Sequence, residues 1–334
     1  MRPLHNQSQS QSQSQSQSKC HRQRGAALLT ALLTAALVAT VASAALWQQW
    51  RQIEIETAER GRSQTSWMLT GALDWTRLIL REDAISTLGG GADHLGEPWA
   101  LTVQESKLST FLSQDQQWRE GDADVFLSGH ITDAQSRMNV MNLIEAGQVS
   151  PAELTRFSNL FERLNLPQSE LRSLARQLQA ALQVSSDDPG KSIALSKPGT
   201  TLQPQQTEQL VWLGLSSGTL AALQAHVTLL PEATPVNLNT ASAEVLSASL
   251  GVDMAVARQA IERRQRGHWA DLSAAQQALG IKGRQLDQKL HSVSSRYFEI
   301  TGRLRIDNVV QQERVLVRRN GQSVQMLWRV KSVQ

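Results

Sequence analysis

The alternation of apolar and polar positions divides the chain into three textures. From Ala26 to Trp47 the sequence AALLTALLTAALVATVASAALW carries no charge. A helix of that length spans roughly 33 Å, enough to cross a hydrocarbon core of about 30 Å. Beyond it Trp47, Trp50, Ile53, Trp67, Trp75, Leu78 and Ile79 recur near helical spacing, with Glu54, Glu56, Glu59, Arg60 and Arg62 between them. That spacing predicts one helix over 26–82, spanning a membrane at 26–47, whose tryptophan stripe packs on a sheet. Gly61 and Gly71 are weak points in it, and it should end near Asp83, before the Gly89-Gly90-Gly91 loop.

The second texture has period two. Residues from Val125 to Ile131 read as a strand running into the turn-prone Thr132-Asp133. The same alternation returns from Tyr297 to Ile306, from Arg314 to Arg318 and from Val324 to Val330, with Asn320-Gly321 as a tight-hairpin signal. The strand arginines are expected on a solvated face. Between these strands, from Pro151 to about Ser295, the pattern is helical, and Ser150-Pro151-Ala152-Glu153 is a helix-start signal. Strands, helices and strands again describe an α+β fold in which a large all-α insertion interrupts one small antiparallel sheet. The expected divisions are a leader at 1–25, the N-terminal helix at 26–82, and the first part of the α/β domain at 83–144. The helical insertion follows at 145–295, and 296–334 complete the sheet.

Charge changes this picture at one end. The chain has 33 Lys and Arg against 30 Asp and Glu, and Arg2, Lys19, Arg22 and Arg24 all precede Ala26 with no acid among them. Removing those four leaves 29 cations against 30 acids, so the basic character belongs to the leader and the body is no polyanion binder by charge. Cations on that side place the N-terminus in the cytoplasm and the body outside. Cys20 is the single cysteine, which removes disulfides and thiolate zinc sites from the exported body. Residues 7–18 alternate Gln and Ser and have nothing to bury.

Three kinds of segment share the apolar run. A secretory signal has a shorter apolar stretch of about 7–15 residues, although Ala42-Ser43-Ala44 imitates its cleavage site. A plain signal anchor explains length and charge. A prepilin leader also explains the junction Arg24-Gly25-Ala26, where a charged segment meets the apolar run at a glycine. Cleavage after Gly25 would make Ala26 the mature N-terminus.

Four segments carry a family resemblance. They are Arg22-Gln23-Arg24-Gly25 with its apolar run; Leu95-Gly96-Glu97-Pro98-Trp99-Ala100; Gly129 through Asn139, GHITDAQSRMN; and Thr234 through Ala241, TPVNLNTA. Together they resemble the minor pseudopilin K family of bacterial type II secretion systems, from about Arg22 to the C-terminus. The resemblance implies a pilin-like fold, processing by prepilin peptidase, and an inner-membrane protein with a periplasmic body. It also implies partnership with minor pseudopilins I and J and other pseudopilins at a pseudopilus tip, and no enzymatic role. In most pilin-like proteins the fifth mature residue is a Glu that pairs with a neighbouring subunit's amine, whereas here it is Thr30. Loss of that Glu is usual in the tip subunit.

The resemblance also brings calcium, held by an acidic stretch of the helical domain. Here the candidates are Asp187 and Asp188, followed by Lys191 and Lys197 with no further acid until Glu208. Calcium takes roughly six to eight oxygen ligands, and Asp187-Asp188-Pro189-Gly190 reads as a surface turn.

An alternative reading comes from 236–295, which resembles the helix-hairpin-helix modules of DNA-uptake proteins. Asn239 or Thr240 would cap a helix, Gly251 would turn into a second helix from Met254 to Arg264, and Lys282, Gly283 and Arg284 would form the phosphate-facing hairpin. Asp253 stands where the first hairpin needs a second glycine, and the segment holds seven cations against five acids. Both features favour a packing role over phosphate contact. No nucleophile elbow, phosphate loop or metalloprotease motif is present, and His130, His226, His268 and His291 lack metal-ligand spacing.

Overall fold

The computed structural model describes residues 17–86, 91–107, 125–187, 202–281, 285–306 and 309–333. The chain divides into two units, Met1–Ser66 and Trp67–Gln334. Most of the Gln-Ser tract lies outside the described residues, as does the 87–90 part of the glycine loop. Helix α1 (Gln17–Ser86) contributes to both units.

In the first unit α1 runs through Gly25 without interruption. Leu28, Leu29, Leu32, Leu33, Leu37, Val38, Val41 and Leu46 are exposed all round its surface, and it is long and apolar enough to cross a membrane. Its hydroxyls need no outside partner. Thr30 Oγ1 donates to the carbonyls of Ala26 at 3.1 Å and Ala27 at 2.9 Å, Thr34 donates to Ala31 at 2.9 Å, and Thr40 to Leu37 at 2.8 Å. Such back-bonding keeps polar atoms satisfied in hydrocarbon.

In the second unit the last turns of α1 lie on a five-stranded antiparallel sheet. Its strands are β1 (Val103–Lys107), β2 (Val125–Asp133), β3 (Tyr297–Ile306), β4 (Val309–Asn320) and β5 (Ser323–Val333), in that spatial order. Asn320 pairs with Ser323 across Gly321, whose φ is 56°, so the hairpin predicted from Asn320-Gly321 forms.

The stripe that α1 buries differs from the one expected. Leu69, Leu73 and Leu80 are buried, packing with Val125 and Leu304 or with Trp99, Phe298, Ile300, Val315 and Val317. Trp67, Trp75 and Leu78 are exposed, as are Trp47, Trp50 and Ile53 in the first unit. The leucines sit about half a helical turn away from Trp67 and Trp75, and branched aliphatics fit the sheet's close surface better than indoles.

The strand arginines also depart from a purely solvated face. Arg329 pairs with Glu313, a fully buried carboxylate, and donates to Thr70 Oγ1 of α1 at 3.1 Å. Arg305 keeps the expected surface role, pairing with Glu105 at 2.6 Å over the Phe126 ring.

The helices between β2 and β3 share one core. They are α2 (Pro151–Arg163), α3 (Gln168–Asp187), α4 (Ser217–Leu223), α5 (Ala243–Leu250), α6 (Met254–Arg266) and α7 (Leu272–Leu279). Its buried members run from Met138 to Leu286, with Phe157, Leu160 and Phe161 of α2 against Leu174 and Leu178 of α3 and Val245 and Leu246 of α5. Ser150 precedes α2 as expected but makes no capping bond with its side chain. Helix α5 is capped by Ser242, which accepts from Val245 N at 3.3 Å, rather than by Asn239 or Thr240. The chain leaves and rejoins the sheet at one place, because Asp133 at the end of β2 pairs with Phe298 at the start of β3.

Gly129 of β2 stands opposite Gly302 of β3. A Cβ on Gly129 would meet the Thr301 carbonyl oxygen at 2.7 Å, while one on Gly302 would make an ordinary 3.5 Å contact with Leu69. Gly129→Ala is therefore expected to lower stability by about 1–3 kcal/mol, and Gly302→Ala to change it little. Thermal unfolding of the full chain in detergent micelles distinguishes the two, and equal losses would sink the argument.

Candidate functional site

Three of the family-like segments, distant in sequence, meet in one buried polar cluster where the insertion joins the sheet. At its centre is Asp133, the last residue of β2, which is 2 % exposed. Its Oδ1 accepts from Gln135 N at 2.7 Å, and its Oδ2 accepts from Asn237 Nδ2 at 2.9 Å, Thr240 Oγ1 at 2.6 Å and Ser295 Oγ at 2.6 Å. Burial raises its pKa, and those hydrogen bonds, led by Ser295 and Thr240, hold it down. The extended backbone at Asp133 also lets it cap the following short helical turn.

Asn237 has no exposed surface. Its amide donates to the Asp93 carbonyl at 3.1 Å as well as to Asp133, and its Oδ1 accepts from Asn239 N at 2.9 Å. Other amides clasp neighbouring loops. Asn142 exchanges two bonds with the Thr234 backbone, at 2.8 and 3.0 Å, and Asn239 exchanges two with the Trp269 backbone, both at 2.9 Å. Gln135 accepts from Arg296 N at 2.7 Å and donates to the Pro235 carbonyl at 3.0 Å. A buried amide satisfied on both sides fixes two segments at once.

A second layer surrounds Arg319 of β4. Its guanidinium pairs with Asp83 at 2.6 Å and with Asp93, donates to the Ser295 carbonyl at 3.0 Å, and lies 4.8 Å from the Phe298 ring centroid. Asp93 Oδ2 accepts from Ser295 N at 2.6 Å. Burial pushes the Asp93 carboxyl up to about 6, with Arg319 opposing. Glu97 accepts from His94 N at 2.8 Å and Trp99 Nε1 at 2.7 Å, and burial pushes it up to about 7. The Trp99 ring it positions meets Phe298 edge-on at 5.2 Å.

The carboxylate oxygens of Asp83, Asp93 and Glu97 lie within 4.8 Å of one another. They already take Arg319 and several N–H donors, so their coordination is occupied by the protein's own groups. Of the calcium candidates, Asp187 ends α3 instead of opening a turn, and Asp188 lies outside the described residues.

The other sequence candidates are placed as follows. Gly25 and Ala26 lie within α1, and Thr30 is satisfied inside it. Gly251 ends α5 at φ 67°, and Asp253 precedes α6, so the first hairpin forms with an acid at its turn. Lys282, Gly283 and Arg284 lie outside the described residues. The structure also joins residues that the sequence does not connect. His94 and His268 stack with ring centroids 3.8 Å apart.

Known proteins resemble this chain over most of its length. Two family models described as type II secretion system protein K match residues 136–232 and 236–294, and the second spans the helix-hairpin-helix-like segment. The type II secretion system protein K of Klebsiella pneumoniae is 27 % identical over 326 residues, covering 91 % of this chain and 94 % of that protein. The Pseudomonas aeruginosa protein of the same description is 25 % identical over 292 residues, covering 83 % of each. The fold resembles a chain in the crystal structure of the GspK–GspI–GspJ complex from the enterotoxigenic Escherichia coli type 2 secretion system. That match has a TM-score of 0.59 at 18 % identity and covers 82 % of this chain and 98 % of that one.

Removing the Asp133 carboxylate would take a buried acceptor from four donors. Asp133→Ala is expected to cost about 3 kcal/mol or more, seen as a lowered Tm. Asp93 and Glu97 titrate above their ordinary values in the folded chain, so their contribution is full in acid and is lost as pH rises through about 6 and about 7. Stability should fall between about pH 4 and about pH 7, from the ordinary carboxyl values to the raised ones, and Glu97→Gln should flatten that fall. An unchanged pH profile in the variant would contradict the role given to Glu97.

Proposed function

We propose, since this chain belongs to the type II secretion system protein K family, that it is a minor pseudopilin that initiates or caps the periplasmic pseudopilus. The observation that carries this reading is likeness to protein K along nearly the whole chain, joined to a pilin-like helix-on-sheet with a helical insertion. In this reading the protein is a structural subunit with no catalytic step of its own. It inserts in the inner membrane with its N-terminus in the cytoplasm, is cut after Gly25 by prepilin peptidase, and places its body in the periplasm.

The apolar half of α1 supplies the anchor and the helix that packs into the filament. Thr30 supports a terminal position. A Glu at that depth would need a partner charge from a neighbouring subunit, whereas the Thr30 hydroxyl is satisfied by its own helix. The insertion, tied to the sheet through Asp133 and Asn237, adds bulk that suits a subunit with nothing stacked beyond it. By analogy with the complex of the enterotoxigenic Escherichia coli relative, pseudopilins I and J of the same system are its partners, and contact with them orders the tip for export of folded proteins.

Mass spectrometry of the mature protein is expected to find Ala26 at the N-terminus, and Gly25→Ala to leave the leader attached and to abolish secretion. A mature mass that is the same in peptidase-deficient cells would defeat the processing claim. Co-purification with I and J tests the tip assignment separately.

A further inference from the structure

Beside Glu97, the insertion presents a cavity that the pseudopilin role leaves unused. Helix α6 ends with Arg264 and Arg266, and the Gly267–His268 turn that follows lays His268 flat on His94, with ring planes 11° apart. With Asn239 these residues line an open cavity of about 310 Å³, and none of its lining residues is acidic. The lining is held firmly, because the Asn239 amide is engaged on both sides by the Trp269 backbone. His94 Nδ1 accepts from Gly96 N at 3.1 Å, which leaves the ring proton on Nε2 as a donor.

Arg264 has an uncommon environment. It donates to the Leu238 carbonyl at 2.7 Å, and among the described residues no carboxylate lies within ion-pair distance of it. Burial alone lowers its pKa to about 10. A partly desolvated guanidinium facing a cavity gains most from a planar oxyanion that it can bind with two parallel N–H bonds.

We propose that this cavity binds a carboxylate presented by an acidic segment of a partner polypeptide. Carboxylate is favoured over phosphate because the arginines stand at a helix C-terminus, whose partial negative charge opposes a dianion. The helix N-terminus typical of phosphate sites is absent from the described lining. A segment is favoured over a small free acid because the cavity is much larger than one carboxylate group and opens beside Leu95, an exposed apolar side chain that can meet flanking residues. The site does not rest on the pseudopilin reading, and its test needs no secretion system.

The test uses the full chain in detergent micelles and a fluorescein-labelled, glutamate-rich peptide followed by anisotropy at low salt. Saturable binding is expected, lost with the glutamine counterpart of the peptide. Arg266→Gln, which alters an exposed side chain and should not disturb folding, is expected to weaken binding about tenfold, and Arg264→Gln at least as much. Arg258→Gln, on the exposed surface of the same helix, should leave it unchanged. Absence of saturable binding, equal affinity in the Arg266 variant, or an equal loss with Arg258→Gln would overturn the proposal. So would displacement by inorganic phosphate at concentrations where acetate has no effect, since that marks a phosphate site.

Discussion

The Asp133 carboxylate is the point on which this architecture turns. A carboxyl group with 2 % exposure costs free energy unless its lone pairs are filled, and its donors come from Gln135, Asn237, Thr240 and Ser295. Those residues sit just after β2, before the α5–α7 region and just before β3. The requirement to satisfy one carboxylate therefore fixes where the chain leaves the sheet, where the insertion folds back and where the sheet resumes. Apolar packing could hold these segments near one another, but only directional bonds fix their register. Arg319 extends the same logic to the end of α1 and the loop holding Trp99.

The long helix carries a different pattern of side chains in each unit. Toward its N-terminus every face is apolar and each threonine hydroxyl closes on a carbonyl one turn back. Toward its C-terminus a narrow row of leucines meets the sheet, while Arg77 donates to the Val324 carbonyl at 2.7 Å and pins the helix to β5. The exposed indoles of Trp67 and Trp75 stand off that contact, on the side away from the sheet.

Much of the fold was legible because its signals are local. Period-two alternation from Tyr297 to Ile306, the Asn320-Gly321 turn and the charge-free run from Ala26 each report on neighbours in sequence. The tryptophan stripe misled because hydrophobicity identifies an apolar face without saying which face the sheet takes. The polar cluster was hidden for a different reason. Asn237 and Asn239 alternate with Val236 and Leu238, a pattern that would put the amides on a solvated face, yet all four are buried, and the value of the amides lies in partners from elsewhere in the chain. The motifs GHITDAQSRMN and TPVNLNTA pointed to a family, but nothing in their spacing shows that Asp133 and Asn237 touch. Arg319 could be read as one more strand cation until the fold placed Asp83 and Asp93 beside it.

The position of the insertion sets the order in which the molecule can be made. β2 and β3 are central neighbours in the sheet, yet the chain builds the whole helical body before β3 emerges. A chain synthesised from its N-terminus would therefore expose the leucine row of α1 and the open edge of β2 until β3 and β4 have been made. Pairings of such long sequence separation form slowly, and uncovered edges invite wrong partners. Arg319 of β4 can reach Asp83 and Asp93, and tie the end of α1 to the sheet, only after the whole insertion and β3 have been made.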